Sequence, residues 1–338
     1  MDYKSAGVDT DSHKLALDKV KDKIRRTFGK RVVGDVGHFG GLYEVPGDPS
    51  RVLVATTDGL GTKVHLLATL GFHDRVGRDL VNHCLNDIGV MGATPLFFLD
   101  YIAGASLTPT ILAPLLDGFA EACLGEHVSL IGGETAEMPG VYEPGCYDVA
   151  GFLVGIVARS EIMDGHDIRP GDRILGFPSN GLHTNGYSLA TRALFDAGGL
   201  TPASAMPDGG GTVGDALAAT HVSYRRELDA LRTLARGFAH ITGGGLVENV
   251  PRILPAGCDA VFRRTRWDVP SIFPLIQECG HVDPVEMDRV FNMGLGMVAV
   301  IPEGSLAEAE HALHGQDLAC CVAGEIVPGT GEARIVDE

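Results

Sequence analysis

The strongest candidate for chemistry in this sequence is the short stretch Val52–Val64 (VLVATTDGLGTKV). It starts as an apolar, β-branched run that is typical of a buried strand, and it then brings Asp58, Gly59, Gly61 and Lys63 into one tight turn. Glycine lets backbone N–H groups approach an anion closely, lysine adds a point charge for phosphate, and a carboxylate offers hard oxygen to a divalent cation. The turn therefore predicts a place where a magnesium–nucleotide complex is held.

The turn matches neither of the two familiar phosphate-binding loops. A Walker A loop has four residues between its glycines and a serine or threonine after its lysine, whereas Val64 follows Lys63 here. The dinucleotide fingerprint needs a third glycine at the position that Val64 occupies. A strand-to-helix turn with a surface lysine is the plain structural alternative, and this stretch alone leaves both interpretations open.

Four further segments combine glycine with polar or acidic side chains: Gly34–Leu42, Gly132–Gly140, Ser179–Ser188 and His240–Gly245. The second directly follows a predicted strand and carries Glu134, so it is another candidate for a loop that faces an anion or a metal. The third and fourth open predicted helices, whose free N–H groups are able to bind a phosphate. Taken singly, each segment is also consistent with an ordinary turn, and His240 with a core histidine.

Predicted strands and helices alternate along the chain, which predicts an α/β fold. In the first half we expect helices at Leu15–Phe28, Arg75–Met91 and Thr110–His127, and strands at Pro95–Tyr101, Val128–Ile131 and Asp148–Val157. In the second half we expect strands at Arg173–Phe177, Cys258–Arg263, Gly296–Ile301, Cys320–Ile326 and Ala333–Val336. The helices expected there are Tyr187–Ala197, Leu246–Leu254, Ser271–Cys279, Pro284–Arg289 and Ser305–His314, with a mainly helical stretch over Leu217–Phe238.

The predicted helix Arg75–Met91 carries polar residues beside its apolar stripe. Asp79, Asn82, Asn86 and Asp87 all lie away from the centre of that stripe. Asp87 comes near the C-terminal end, where the helix dipole disfavours a carboxylate unless a cation compensates it. Asp87 is therefore a candidate metal ligand, and a solvated aspartate is the alternative.

Length and charge limit the possible functions. The 338 residues suffice for two domains with separate cores, and a cluster of polar turn residues at Asp164–Gly171 predicts domains of residues 1–168 and 169–338. The net charge of −17 argues against a partner made of nucleic acid, because such proteins normally present a basic face. It leaves anionic small substrates possible, since N–H groups, a lysine and a metal can reverse the field locally.

Cysteine usage and hydropathy address the compartment. The seven cysteines are odd in number and form no C-x-x-C pair, so neither a disulfide framework nor a zinc ribbon is indicated. Reduced thiols predict a cytoplasmic protein. The charged start MDYKSAGVDTDSHK does not read as a signal peptide, and no apolar run approaches the roughly 18 residues of a membrane span, so we expect no membrane partner.

Several segments taken together resemble the aminoimidazole ribonucleotide synthetase (phosphoribosylformylglycinamidine cyclo-ligase) family. They are Tyr3–Asp9, Gly37–Leu42, Thr56–Lys63, Asn86–Tyr101, Gly132–Tyr142, Tyr147–Gly155, Ser179–Leu189, His240–Pro255 and Phe291–Met297. One such motif would be weak evidence, but the whole set occurs in the family's order from residue 3 to residue 297.

The resemblance implies a fold of two α/β-type domains (α+β in the broader sense), in a homodimer whose N-terminal sheets join into a barrel. It also implies a reaction of de novo purine synthesis. ATP and formylglycinamidine ribonucleotide would give aminoimidazole ribonucleotide, ADP and phosphate, with Mg²⁺ and a helping monovalent cation such as K⁺. Transient contacts with other enzymes of the pathway stay open.

The resemblance also suggests roles for individual residues. We expect Asp58, Asp87 and Glu134 to bind the metal, Lys63 to contact the ATP phosphates, and Asp58, Lys63 and His183 to act in catalysis. The nucleotide is expected to contact glycine-rich segments and their neighbours, namely His38, Gly40, Gly41, Gly59, Gly61, Thr62, Lys63, Gly132 and Gly133. The substrate is expected in the second domain, at Gly181, His183, Asn185, Thr242, Gly243 and Gly244.

Two rival functions remain at this point. One is a sibling ATP-dependent enzyme such as selenophosphate synthetase, which carries a reactive cysteine or selenocysteine in its N-terminal glycine-rich segment; the first cysteine here is Cys84, inside a helix pattern. The other is a non-catalytic scaffold subunit, which would be expected to have lost acids of the metal set. Asp58, Asp87 and Glu134 are all present.

Overall fold

The computed structural model describes residues 1–35 and 37–337, without the side chains of residues 10, 11, 13 and 14. Its framework is two six-stranded sheets, one from each half of the chain. The strands of the first sheet are β1 Val32–Val33, β2 Gly41–Val45, β3 Asp48–Gly59, β4 Thr94–Gly104, β5 Ser129–Glu137 and β6 Tyr147–Ala158. They lie in the order β1-β2-β3-β6-β4-β5, and all neighbours are antiparallel except β4 and β5.

Helices cover one face of the first sheet. These helices are α2 Lys63–Leu70, α3 His73–Gly89 and α4 Pro109–Gly125. The helix α1 Thr10–Arg25 belongs to the same half, but its Leu15, Leu17 and Val20 are exposed. The apolar stripe of α3 (Val76, Leu80, Cys84 and Ile88) is fully buried. The opposite face of the sheet carries Tyr43 and Phe152, each 42% exposed. Alternation along the strands therefore gives this sheet one buried face and one uncovered apolar face.

The second sheet is built from β7 Arg173–Pro178, β8 Gly237–His240, β9 Cys258–Arg263, β10 Leu295–Ile301, β11 Cys321–Pro328 and β12 Ala333–Val336. Its order is β12-β9-β11-β7-β10-β8, with only the β12–β9 pair parallel among the described strands. The helices of this half are α5 Tyr187–Thr191, α6 Val213–Leu217, α7 Arg225–Leu231, α8 Gly245–Asn249, α9 Ile272–Gly280, α10 Pro284–Val290 and α11 Leu306–His314. A π-helix over Arg192–Ala197 continues α5, and a 3₁₀ turn over Val250–Ile253 continues α8.

Most predicted elements are confirmed to within a few residues, and two predictions are wrong. The segment after Ile131 is not a loop, because β5 runs on through Glu137 and pairs in parallel with residues 99–104 of β4. The stretch Leu217–Phe238 is only partly helical, because it ends in β8, which pairs with β10. All residues of β8 are buried, so this strand shows no alternation that would separate it from a buried helix.

The polar side of α3 is buried, although a solvated Asp87 was one of the two alternatives that the sequence left open. It packs against residues 218–224 of the second half of the chain. Asn82 and Asn86 donate through Nδ2 to the carbonyls of His221 (2.7 Å) and Val222 (2.8 Å), and the Tyr224 N–H donates to Asn86 Oδ1 (2.9 Å). The helix is therefore buried on both sides, by the first sheet and by the second half. The division after residue 168 stays a prediction.

Candidate active site

Two of the three predicted metal ligands come together at the junction of β3 and α3. Asp58 lies near the end of β3, and Asp87 lies in the last turn of α3. The Thr56 hydroxyl contacts both of them, at 3.3 Å from Asp58 Oδ2 and 3.4 Å from Asp87 Oδ2. The side chains of Asp58 and Asp87 are 21% and 11% exposed, so both carboxylates are partly accessible to a ligand.

The oxygen donors of this pair suit a hard divalent cation. Carboxylate and hydroxyl oxygens are ligands that Mg²⁺ accepts. Burial raises the pKa of Asp87, and the positive charges of His83 and Arg252 oppose that rise. A cation between Asp58 and Asp87 would likewise offset the cost of holding two negative charges so close together. The residues present therefore fit the predicted metal.

A ring of hydrogen-bonded side chains surrounds the two carboxylates and joins the two halves of the chain. His83 Nε2 lies 3.3 Å from Asp58 Oδ1, and His83 Nδ1 lies 2.7 Å from Thr184 Oγ1. Thr184 Oγ1 lies 3.3 Å from Nδ1 of His221. His221 Nε2 meets His240 Nε2 at 3.1 Å, and His240 Nδ1 meets Asp87 Oδ1 at 2.8 Å. Thr56 then closes the ring from Asp87 back to Asp58.

The pKa values of the histidines in this ring are shifted in different directions. Burial lowers the pKa of His221 and His240 well below the usual value, with neighbouring positive groups adding to the effect, so both are neutral near pH 7. Burial acts in the same direction on His83, but the charge and hydrogen bond of Asp58 raise its pKa overall. The chain thus places the histidine whose pKa is raised directly against Asp58.

His183, predicted to act on the substrate, is buried beside this ring. Its imidazole stacks on that of His221, with ring centroids 4.2 Å apart. Its φ of 60° is unusual for a residue other than glycine. Neither ring nitrogen has a hydrogen-bond partner among the described residues, and the side chain is 1% exposed. Unsatisfied buried nitrogens are rare, so His183 has free hydrogen-bonding capacity at this point.

The glycine-rich segment Gly37–Leu42 lies next to the carboxylates. The Phe39 carbonyl is 3.4 Å from the Thr56 hydroxyl. Arg252 reaches across from the second half, donates through Nε to the Gly37 carbonyl (3.2 Å) and stacks its guanidinium 3.5 Å from the Phe39 ring centroid. A Cβ on Gly40 would lie 2.7 Å from Val54 Cγ1, so glycine permits this close approach. His38 and Gly41 belong to the same loop, and their contacts with a nucleotide stay predictions.

The loops expected to bind substrate also meet one another. The Asn185 carbonyl oxygen Oδ1 lies 3.3 Å from where a Cβ on Gly243 would be. Asn249 holds this turn, because its Nδ2 donates to the carbonyls of Thr242, Gly243 and Gly245 at 3.3, 3.2 and 2.9 Å. Gly181 lies at the start of the other loop, and its carbonyl accepts from Asn292 Nδ2 at 2.8 Å. The roles of Gly181, Asn185 and Thr242–Gly244 in binding stay predictions.

The burial of Lys63 does not favour a direct contact with ATP phosphates, and that contact stays a prediction. Lys63 is the first residue of α2, but its side chain turns inward and is fully buried. Its ammonium lies 2.6 Å from Asp79 Oδ2, also fully buried, and donates to the Ala219 carbonyl at 2.8 Å. Lys63 therefore joins α2 and α3 to the second half of the chain. Gly59, Gly61 and Thr62 stay at the turn, where Thr62 Oγ1 meets Ser188 Oγ at 3.1 Å.

The third predicted metal ligand does not converge with the other two inside one chain. The register aligns Asp58 with Gly151, Gly151 with Asp100, and Asp100 with Gly133, which puts about 14 Å of sheet between the two ends of that row. Glu134 pairs with Tyr101 and therefore points to the opposite face of the sheet, where it is exposed. Gly132 and Gly133 lie on the same edge strand, away from the Asp58 turn within this chain.

Several residues of the site were missed by the sequence analysis. Thr56 and Arg252 lie in segments that the sequence analysis singled out, but they were given no role there. His83 and His221 lie outside those segments. The one available signal is that His83 precedes Asp87 by four residues on a predicted helix, so that both lie on the same face. His221 lies in a loop, and only the packing of α3 on residues 218–224 brings it to the site.

Fold and site together define a two-domain α/β protein with a carboxylate pair at the junction of the domains. Two domain models of the AIR synthase related proteins match this chain. The model of the N-terminal domain matches residues 38–157, and the model of the C-terminal domain matches residues 169–337. Phosphoribosylformylglycinamidine cyclo-ligase from Trichlorobacter lovleyi is 46% identical over 328 residues, covering 96% of this chain and 94% of that protein. The protein of the same name from Geobacter sulfurreducens is 45% identical and covers 99% and 97%.

The chain therefore belongs to the phosphoribosylformylglycinamidine cyclo-ligase family. It is a ligase, and the reaction of its family is a ring closure in purine biosynthesis. This confirms the resemblance found in the sequence.

Solved structures with the same fold are more distant in sequence. AaThiL complexed with AMPPCP and TMP aligns with a TM-score of 0.67 at 16% identity, covering 95% of this chain and 92% of that one. PurL from T. maritima complexed with AMPPCP aligns with a TM-score of 0.56 at 16% identity, covering 94% and 45%. These likenesses show the fold alone. Among the described residues no helix is both long and apolar enough to cross a membrane.

Proposed function

We propose that the chain closes the imidazole ring of aminoimidazole ribonucleotide at the junction of its two halves, using ATP and formylglycinamidine ribonucleotide. The observation that carries this proposal is the convergence of Asp58 and Asp87 on the Thr56 hydroxyl, facing side chains of the second half. Relatives that share 42–46% of the sequence carry the cyclo-ligase name, and fold relatives bind ATP or its analogues.

The chemistry needs activation of an amide oxygen, which is a poor leaving group. Transfer of the γ-phosphoryl group to that oxygen gives an iminophosphate, which a neighbouring nitrogen attacks, so that phosphate departs and the ring closes. No covalent nucleophile of the protein is required, because positioning and charge stabilisation suffice for phosphoryl transfer. The partly buried site at the domain junction would also keep water away from the iminophosphate.

Asp58 and Asp87 are the residues that would hold Mg²⁺. A bound Mg²⁺ supplies charge neutralisation for the phosphates of ATP. The loop of His38, Gly40 and Gly41 is the proposed cover of the nucleotide, since Arg252 holds it beside the carboxylates. K⁺ as a helper ion rests on the family resemblance alone.

The second half would bind the ribonucleotide. His183 is the strongest single candidate there, because its two ring nitrogens are unpartnered among the described residues although the side chain is buried. Gly181, Asn185 and the turn Thr242–Gly244 surround the same corner. Lys63 is left out of the catalytic set and given a structural role, the anchoring of α2 against Asp79.

A homodimer is part of the proposal. The uncovered face of the first sheet carries the exposed aromatic residues Tyr43 and Phe152. An exposed apolar face of this kind is typical of a surface that binds another protein. A second copy of the chain packed on this face would bury it and would also offer Glu134 to a neighbouring site. A cytoplasmic location fits the described cysteines, all of which are free thiols. Transient contacts with other enzymes of the pathway remain a hypothesis.

Phosphate release from ATP tests the proposal directly. We expect release that depends on formylglycinamidine ribonucleotide and on Mg²⁺, with formation of aminoimidazole ribonucleotide in equal amount. Release that depends instead on another acceptor, such as selenide, would indicate a sibling enzyme. No release with any acceptor, together with an intact fold, would indicate a scaffold subunit.

A further inference from the structure

His83 connects the carboxylate pair to the proposed substrate loop. Its side chain is 7% exposed and reaches in two directions, through Nε2 to Asp58 (3.3 Å) and through Nδ1 to Thr184 (2.7 Å). Because an imidazole is rigid, these two contacts cannot move independently. A shift of Thr184 must either turn the His83 ring or break one of its contacts.

Thr184 lies between two residues that are proposed to hold the substrate, His183 and Asn185. It also contacts His221 Nδ1 (3.3 Å), and Asn185 Nδ2 donates to it at 3.4 Å. A ligand that orders this loop therefore orders Thr184. Through His83, the same ordering reaches Asp58, on the other side of the domain junction.

A second path of the ring runs to the other carboxylate. From Thr184 it passes through His221 and His240 to Asp87, with separations of 3.3, 3.1 and 2.8 Å. His221 is itself anchored to α3, because its backbone N–H donates to Asp79 Oδ1 at 2.6 Å. Both carboxylates are thus oriented by side chains that end on one threonine of the substrate loop.

We propose that His83 is a positioning residue that couples the substrate loop to the nucleotide-binding carboxylates, through its simultaneous contacts with Thr184 and Asp58. Substrate binding then fixes the geometry of Asp58, and nucleotide binding at Asp58 fixes the loop, as linkage requires of any such coupling. This inference rests on the proposed function, since it places the nucleotide at Asp58 and the ribonucleotide at the 181–185 loop.

The chain offers a matched pair of variants for the test. Thr184→Val removes the hydroxyl and keeps the shape of the side chain, whereas Thr184→Ser keeps the hydroxyl. His83→Met removes both polar contacts of the ring with a side chain of similar length. The affinity of AMPPCP with Mg²⁺ is measured by calorimetry in the absence and presence of formylglycinamidine ribonucleotide, in each full-length variant.

We expect the wild-type chain to bind the nucleotide analogue roughly tenfold more tightly when the ribonucleotide is present, a typical size for coupling between sites. In Thr184→Val and in His83→Met this ratio should fall to less than about twofold, and Thr184→Ser should restore it. The double variant should lose no more than Thr184→Val alone, because the path through His83 already ends on the Thr184 hydroxyl. A merely structural role would lower both affinities or stability and leave the ratio unchanged.

Three results would overturn the inference. They are a wild-type ratio near one, an unchanged ratio in Thr184→Val, and a ratio in Thr184→Ser as low as in Thr184→Val. If His83→Met does not fold, the two Thr184 variants still decide the question. Failure of the proposed function is distinguishable, because the wild-type chain would then show no substrate-dependent phosphate release at all.

Discussion

Two short segments of the chain look alike in sequence and have opposite surroundings in the fold. One is TTDGLG around Asp58 and the other is GGETAE around Glu134; both pair an acid with glycines at or just after a strand of the first sheet. Asp58 faces α3 and the second half of the chain, whereas Glu134 lies on the exposed face of an edge strand. Local composition therefore marks a candidate site, but strand order and register decide what each acid faces.

The sharpest way to break this comparison is to neutralise each acid in turn. Asp58→Asn removes the charge of a proposed metal ligand, and such a ligand is worth several kcal/mol in transition-state stabilisation, so we expect kcat to fall by about 100-fold or more. Phosphate release in saturating ATP and substrate measures it, and the thermal midpoint of unfolding checks the fold. Turnover within a few-fold of wild type would remove Asp58 from the metal set.

The buried ion pair of the same turn gives the next largest effect. Lys63→Met leaves the buried carboxylate of Asp79 without its cationic partner, and breaking such a pair costs about 3–5 kcal/mol of unfolding free energy. Burial already raises the pKa of Asp79 and lowers that of Lys63, against the opposing effect of each partner's charge. Urea unfolding measures the loss.

Lys63→Met with Asp79→Leu is the control for this prediction. The double variant removes both charges and should recover most of the lost stability, because no unpaired charge remains buried. If Lys63→Met left stability unchanged and raised only the KM for ATP, Lys63 would return to the phosphate contacts that the sequence first suggested.

Mixing of subunits sharpens the comparison for Glu134. If Glu134 serves a site of the partner in a homodimer, a mixture of Asp58→Asn and Glu134→Gln chains contains mixed dimers with one intact site. An equal mixture, unfolded and refolded together, should then recover about a quarter of wild-type activity, as expected for statistical pairing in a symmetric dimer. Each variant alone, treated in the same way, is the control.

No recovery in the mixture would exclude a role of Glu134 across the dimer, provided that Glu134→Gln alone is inactive. A fully active Glu134→Gln chain would exclude it from the metal site altogether. Either result would restrict the ligand set to groups close to Asp58 and Asp87.

The smallest effect concerns the glycine-rich loop. Arg252→Ala removes the stacking on Phe39 and the bond to the Gly37 carbonyl, together worth about 1 kcal/mol, so we expect roughly a fivefold rise in the KM for ATP. Arg266→Ala, at an arginine that lies in a 3₁₀ turn elsewhere in the second half, is the control. An unchanged KM for ATP in Arg252→Ala would mean that the loop does not depend on this contact.

Much of the fold follows from the sequence because period and turn chemistry are local properties. The strand and turn at Val52–Lys63, the helix of α3 and the strand of β6 were all predictable from apolar spacing. β5 was cut short in the prediction because glycines and acids favour turns, but pairing with β4 supplies the hydrogen bonds of an extended strand. β8 was missed because a fully buried strand shows no alternation.

The site was predictable only in part, because some of its residues carry local signals and others are placed by contacts between distant parts of the chain. Asp58 and Asp87 carry local signals, a glycine turn and an unfavourable helix end, and the fold brings them together. The direction of the Lys63 side chain depends on Asp79 sixteen residues later, and the position of His221 depends on docking of the second half onto α3. Such contacts join residues that are far apart in the sequence, so no local pattern indicates them.

The packing of α3 against residues 218–224 has a consequence for experiments that would separate the two halves of the chain. A chain cut after residue 168 would release Asp79, Asn82 and Asn86 from their partners in residues 219–224 and leave Lys63 without the Ala219 carbonyl. It would keep its uncovered sheet face as well. The isolated piece would expose to solvent the polar side of α3 that normally packs on the second half, and it would also expose the apolar face of its sheet. Function therefore has to be studied in the intact polypeptide.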